Sequence, residues 1–208
     1  EPLAEAIFAQ DGRDPQALAQ DYIDPEKGVN TAEEALQGAN DIIAENLSDD
    51  ADIRKALRQL VMRRGTFTCK AAEDAEEDGV YRLYYEFCQP IPRLLDHQIL
   101  AINRGEKEGI LKPAVTLTGN EGAALVCRSA LKPTAQVSAF VRTAAEDAYD
   151  RLIFPAIQRE VRNELSDRAY AGAIANFALN LKPLLMQPPV KGFVTMGLDP
   201  GYRNEIGR

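Results

Sequence analysis

The sequence predicts a mainly α-helical, multi-helix protein with a small β element and one further strand near its C-terminal end. Three observations carry this reading. Apolar residues recur at intervals of three and four over most of the chain, the spacing of helices that bury one face. Helix starts and stops punctuate those stretches, with Ser, Thr or Asp before them and Gly or Pro after them. The β-type runs are short, and they are expected to form a small element in the region 105–130 and a final strand at 193–198.

In the opening third, "DPQALAQDYID" places Asp14 to cap a helix and Pro15 at its first position, where a missing N–H costs nothing. Asp24-Pro25 then breaks it. "TAEEALQGANDIIAENL" begins at Thr31 with Glu34 three residues on, the pattern of a capping box, and Leu36, Ala39, Ile43 and Leu47 share one face. The next helix is capped by Ser48, carries Asp49, Asp50 and Asp52 in its first turn, Arg63 and Arg64 in its last, and stops at Gly65. Ile53, Leu57, Leu60 and Val61 form its apolar stripe. Its cations Arg54, Lys55, Arg58, Arg63 and Arg64 read either as a solvated outer face or as a phosphate-binding one.

From "GTFTCKA" the pattern turns β-branched, then acidic through "EDAEEDG", then aromatic in "VYRLYYEF", residues 80–87. Aromatic rings interleaved with arginine stack bases in some proteins, but Tyr and Phe at helical spacing are more commonly core. A helix is expected over about 94–104, ended by Gly105, with a strand entered at Gly109. His97 falls on this helix, has no catalytic partner in sequence, and is read as a hydrogen-bonded packing residue. "LKPAVTLTG" and "AALVCRSAL" are read as one or two strands, of which Pro113 allows only an edge.

Residues 138–186 are the longest helical territory. Val141, Ala145, Ala148, Leu152 and Ile153 share a face up to Pro155, which is expected to kink or end the helix. Val161, Leu165, Ala169, Ala173, Phe177, Leu181 and Leu185 then recur at four-residue intervals, a slowly drifting stripe expected to pack several neighbours in succession. Glu164 and Arg168 are spaced as an outward i,i+4 pair. "QPPVKG" ends the segment. The chain thus divides into an acidic helical region 1–65, a mixed α/β segment 66–135, a long helical segment 136–190 and a terminal strand segment 191–208.

Composition limits the functional classes. The net charge of −8 is concentrated in residues 1–52, which hold 14 acidic and 2 basic side chains, so nucleic-acid contact is expected only from later residues. Cys69, Cys88 and Cys127 lie 19 and 39 residues apart with a single histidine in the chain, which does not make a structural zinc pattern. They read as free thiols of a reducing cytoplasm. No run is apolar enough to cross a bilayer, and no membrane partner is expected. The chain opens "EPLAEAIFAQ" without methionine and reads as a piece of a longer protein.

Three strings carry a resemblance: "DHQILAINRGEKEGIL", "AYDRLIFPAIQREVRNELSDRAYAGAIANFALNLKPLLMQPPVKG" and "MGLDPGYR". In order and separation they resemble the family of the bacterial transcription accessory protein Tex, over essentially the whole chain. The resemblance implies a cytoplasmic protein several times longer, with an N-terminal helical region bearing a helix-turn-helix, a YqgF domain of ribonuclease-H-like fold, helix-hairpin-helix modules and a C-terminal RNA-binding OB-type domain. The family is similar to a eukaryotic transcription elongation factor and histone chaperone. Aligned to that plan, this chain is the central helical region followed by the truncated first strand of the YqgF domain.

Asp199, with Gly201 and Arg203, then matches the end of that first strand, where active nuclease relatives use the aspartate as a metal ligand. Metal-assisted cleavage needs several converging carboxylates, and the only acid after Asp199 is Glu205. The YqgF domain of the family itself resembles a degenerate nuclease. The motif therefore marks a domain boundary, and neither a metal nor another cofactor is expected. After "DPGYR" the family continues into a Gly-Cys-Lys-like turn, whereas this chain reads "NEIGR".

The leading expectation is a non-enzymatic helical scaffold from a protein that binds RNA, and DNA as a further partner, with a protein of the transcription machinery docking on it. A second reading is direct nucleic-acid contact through Arg104 and Lys107 in "INRGEKEG", together with Arg63 and Arg64. A third, metal-dependent cleavage through Asp199, lacks its carboxylate set.

Overall fold

The computed structural model describes residues 1–73, 75, 79–132, 139–188, 191, 192, 194, 196 and 197. By its internal contacts the chain divides into two units, Glu1–Ala173 and Ile174–Arg208.

The first unit begins with two short helices, α1 (Pro2–Phe8) and α2 (Pro15–Gln20), both lying against α3 (Ala32–Asp49). Asp14 caps α2 as expected, accepting from the Gln16 N–H at 3.3 Å. Thr31 caps α3, accepting from the Glu34 N–H at 3.2 Å, while the Glu34 carboxylate returns one residue further back, to the Asn30 N–H at 2.6 Å. Leu36, Ala39, Ile43 and Leu47 are all buried, as their spacing predicts.

The cap of α4 (Ala51–Arg64) differs from expectation. Asp50, not Ser48, fills it, with its carboxylate accepting from Asp52 N–H at 2.8 Å and Ile53 N–H at 2.9 Å. Only Asp50 separates α3 from α4, so Ser48 is still inside α3 and its hydroxyl donates back to the Glu45 carbonyl. Asp50 is the residue with extended backbone at the junction, and only such a residue can reach the free N–H groups of the next turn. Gly65 ends α4 in extended rather than left-handed backbone (φ −66°), and it is needed for space: a Cβ there would lie 2.5 Å from the Val61 carbonyl oxygen.

Three antiparallel strands follow in the order β2-β1-β3: β1 (Thr66–Ala71) at the centre, β2 (Glu86–Pro90) and β3 (Leu111–Thr116) at the edges. Thr66 pairs with Pro90 on one side and Thr116 on the other. The β element therefore spans 66–116 rather than 105–130. Pro113 sits on an edge strand, as its missing N–H requires. "AALVCRSAL" is not a strand but most of α6 (Glu121–Ala130). Ala123, Val126, Cys127 and Ala130 form its buried i, i+3, i+4, i+7 face, the period of a helix. The aromatic string divides into a tight turn at Arg82–Tyr84 and the start of β2.

Between β2 and β3 runs α5 (Asp96–Lys107), longer at its C-terminal end than expected. α7 (Ala139–Asp147) packs on α3 and α6 and passes through a wide π-helical stretch, Ala148–Ile153, into α8 (Phe154–Leu185). Pro155 does not end this path. The Phe154 N–H donates five residues back, to the Tyr149 carbonyl, and the wide turn carries the chain past the residue that has no N–H to give. Gln10 ties α1 to the end of α6: its amide donates to the Ala130 carbonyl at 2.8 Å and accepts from the Lys132 N–H at 3.1 Å. Ile157, Val161, Leu165 and Ala169 of α8 are buried in the common core with Phe67, Leu57, Ile99 and Ile102.

In the second unit α8 continues to Leu185 with Pro183 inside its last turn. Here the stripe does not pack neighbours in succession: Phe177 is 65% exposed and Leu185 72%. Of the expected strand at 193–198, residues 194, 196 and 197 are described and none is in a strand. The remainder, with Asp199, Gly201 and Arg203, lies outside the described residues, as do residues 74 and 76–78 of the acidic stretch.

Candidate interaction surfaces

Arg63 and Arg64 occupy the last turn of α4, where the helix dipole favours cations. Arg64 is engaged with Glu121 at the start of α6, Nη1 to Oε1 at 2.5 Å. Arg63 is exposed and, among the described residues, donates only within its own helix, to the Gln59 carbonyl at 3.2 Å. Arg104 and Lys107 occupy the corresponding turn of α5, both exposed. Gly105 between them is buried against β3, since a Cβ there would lie 2.6 Å from Leu111 Cδ1. That close approach turns its neighbours outward.

The structure does not bring the two pairs together. Arg64 precedes Gly65 and the first residue of β1, whereas the α5 turn leads into Ile110, whose carbonyl accepts from the Ala72 N–H just beyond the last. Roughly 17 Å of strand separates the two ends. Beside Arg104, Tyr81 is buried, and its hydroxyl is pushed above the usual phenol range by that burial and by its hydrogen bond to Glu108. Tyr84 and Phe87 meet in a tilted pair at 5.6 Å between ring centres, both half-buried against the core.

Five further arginines are tied to carboxylates on other elements. Arg54 and Arg58 both reach Glu160 of α8. Arg151 binds Asp41 at 2.7 Å and Asp147 at 2.9 Å. Arg168 does not take Glu164 as partner but reaches across to Asp96 at 3.0 Å and the Leu94 carbonyl at 3.0 Å. Among the described residues the most connected cation is Arg162, which sequence reasoning missed. Only 19% exposed at its side chain, it holds Glu106 at 2.5 Å and Asn103 at 3.3 Å, and lies 5.5 Å over the Phe67 ring. It also donates to the Pro113 carbonyl, as Gln158 does to the Val115 carbonyl at 2.6 Å. Together the two side chains of α8 close the outer edge of β3, a device that keeps an edge strand from pairing with another chain. The signal available was a charged residue adjoining Val161 in the buried stripe, one turn before Ser166, which receives the Asn103 amide.

All three cysteines are free thiols. Burial pushes Cys69 up to about 11 and raises Cys127 also, which leaves both protonated and inert at neutral pH. Cys88 is exposed on β2. His97 is exposed on α5, so the packing role expected for it is not the one it has. Among the described residues no three His, Cys, Asp or Glu side chains gather where they would hold a metal ion, and no helix is long and apolar enough to cross a membrane.

Helices around a three-stranded sheet, tied at the surface by carboxylate–arginine pairs that bridge separate elements, define a helical module in which the charged groups join one element to the next. The family model described as Tex central region-like matches residues 10–177, and the chain belongs to that family. It is 44% identical to the uncharacterized protein YdcI of Bacillus subtilis (strain 168), over 98% of this chain and 29% of that protein. It is 29% identical to the transcriptional accessory protein Tex of Neisseria gonorrhoeae, over 99% of this chain and 28% of that one. With the human S1 RNA-binding domain-containing protein 1 it shares 30% identity, over 88% of this chain and 20% of the relative. The chain therefore spans less than a third of the length of the curated relatives it matches.

Proposed function

We propose that this chain is a non-enzymatic helical scaffold within a cytoplasmic transcription accessory protein that binds RNA, with DNA and a protein of the transcription machinery as further partners. The observation that carries this reading is the disposition of the arginines. Arg54, Arg58, Arg64, Arg151, Arg162 and Arg168 each meet a carboxylate on another element, which fixes helices relative to one another and removes those charges from the set that attracts phosphate. The names of the relatives, a transcriptional accessory protein and an S1 RNA-binding domain-containing protein, support the wider role. Residues 191–208, with Asp199, Gly201 and Arg203, are assigned in this reading to the first strand of a YqgF domain, as a boundary and not a catalytic centre.

The test is fluorescence anisotropy of the chain against labelled single-stranded RNA and duplex DNA at two salt concentrations. The scaffold reading expects no binding at low salt. Micromolar binding that weakens steeply with salt would replace it with direct contact. One observation favours that second reading: Arg104 and Lys107 are exposed and have no carboxylate partner among the described residues. Loss of the binding in Arg104→Ala with Lys107→Ala would establish it. Cleavage with Mg²⁺ or Mn²⁺ that disappears in Asp199→Asn would overturn the non-enzymatic assignment.

A further inference from the structure

We propose that the groove between α4 and α6 docks an acidic amphipathic helix of a protein partner. The proposal rests on the scaffold reading and gives it a docking site and a partner chemistry. The two helices are joined at one end by the Arg64–Glu121 pair. Beyond it their facing surfaces leave a groove with Ala56, Leu60, Ala124 and Leu125 along its walls and floor. Arg63 rises on the α4 side and Arg128 on the α6 side.

These two arginines are not among the six whose carboxylate partners join separate elements. Neither has a carboxylate partner among the described residues; Arg63 bonds only the Gln59 carbonyl of its own helix, and Arg128 is exposed. Lys55, next to Ala56, is likewise exposed and unpaired with any acid among the described residues. Two open guanidinium groups beside an aliphatic surface call for an occupant with both carboxylates and apolar side chains.

The floor decides which macromolecule that is. It has no aromatic ring on which a base could stack, and stacking is the sequence-tolerant contact that holds single-stranded nucleic acid in a groove. Aliphatic side chains between helices are instead what an amphipathic helix covers with its anchors at i, i+3, i+4 and i+7. Arg128 stands seven residues along α6 from Glu121, at the Arg64 end, which is about 10.5 Å of helix. Carboxylates two turns apart on a docked helix span the same distance, so one meets Arg63 while the other meets Arg128. The charges would set partner choice and encounter rate, and the leucine-type anchors would hold the complex.

The experiment uses three labelled probes titrated with the 208-residue chain. The first is a helical peptide of about 18 residues, five turns, with a leucine stripe flanked by glutamates two turns apart. The second has lysine in place of every glutamate, and the third is a single-stranded RNA of matching length. The expected result is binding of the acidic peptide and not of the lysine one. In the double variant Arg63→Glu, Arg128→Glu that binding falls by about tenfold or more, and the lysine peptide now binds in its place. A second variant, Ala124→Glu, sets a carboxylate at an exposed position of the groove and weakens the acidic peptide without reversing charge on the rim. Circular dichroism confirms that each variant keeps its helices. Equal binding of the two peptides, no binding of the acidic one, or wild-type affinity in the double variant overturns the proposal. So does RNA binding that the double variant abolishes, which would make the groove a nucleic-acid site. Failure of the scaffold reading has a different signature: RNA binding lost in the Arg104 and Lys107 variants, with the peptide result unchanged.

Discussion

The two halves of α8 carry the same kind of sequence and meet different fates. Ile157, Val161, Leu165 and Ala169 recur every four residues and are completely or nearly completely buried. Ile174, Phe177, Leu184 and Leu185 continue an equally apolar pattern and are 61–72% exposed. Periodicity names the face of a helix that is suited to burial, but burial itself is supplied by whatever lies opposite. For the first half that is the core shared with the sheet, α5 and α7. The contrast is energetic as well as geometric, because apolar area contributes to stability only where water is removed from it.

The largest effect is expected where that half is most enclosed. Leu165 is 1% exposed, and Leu165→Ala should lower the stability of the chain by about 2–5 kcal/mol, the transfer term plus a cavity. Urea unfolding followed by circular dichroism measures it. A cost below about 1 kcal/mol would mean that the site collapses freely, and that this half of α8 is no better packed than the other.

Next comes a test of how closely the surrounding body is fitted. Gly122, in the first turn of α6, faces the Tyr149 ring, and a Cβ there would lie 2.6 Å from Tyr149 Cζ. Tyr149 is itself buried and stacked on Phe154 at 5.2 Å, so it has little room to give way. Gly122→Ala should cost about 1–3 kcal/mol by overpacking, even though alanine is the better helix former. Gly38 in α3 makes the control, because its Cβ would meet nothing within 4 Å. There the same substitution should stabilise by about 0.5–1 kcal/mol.

These positions also show what was legible in the sequence. The buried faces of α3, α4 and the first half of α8 followed directly from spacing, since each needs only an apolar residue every third or fourth position. The Asp50 cap was missed because three candidate caps stand within three residues, and only the one-residue gap between α3 and α4 selects among them. α6 was misread because a short apolar run fits either period until its length is known. Arg162 was missed for a different reason. Its partners Glu106, Asn103 and Pro113 lie 49 to 59 residues away, and its place beside Val161 marks it as near the core without naming them. Arg63, Arg64, Arg104 and Lys107 were legible as exposed helix-end cations, but their division between opposite ends of β1 is a property of the sheet register.

A smaller effect follows from the Cys69 thiol. Its ordinary value of 9.0 applies in the unfolded chain, while burial raises it to about 11 in the folded one. The neutral form is the one the core accepts, so this contribution is complete below pH 9 and is lost as pH rises toward 11. By pH 10 it amounts to about 1 kcal/mol. The check is to measure stability at pH 7 and pH 10 in the native chain and in Cys69→Ala, where the difference between the two pH profiles isolates this thiol from other alkaline titrations. A shallower alkaline loss in the variant is expected. Parallel profiles would mean that water reaches Cys69 and that the sheet side of the core is looser than the α8 side.

The smallest effect is the one that tests the comparison most directly. Phe177 is one of the largest apolar side chains of α8, yet it is 65% exposed in the unit that begins at Ile174. Phe177→Ala removes more apolar surface than Leu165→Ala but removes it from contact with water rather than with protein. The unfolding free energy of this chain should therefore change by no more than about 0.5 kcal/mol, and alanine's helix propensity offsets part of that. A loss approaching the Leu165 value would show that Phe177 is covered in solution, and that the two halves of α8 are packed alike.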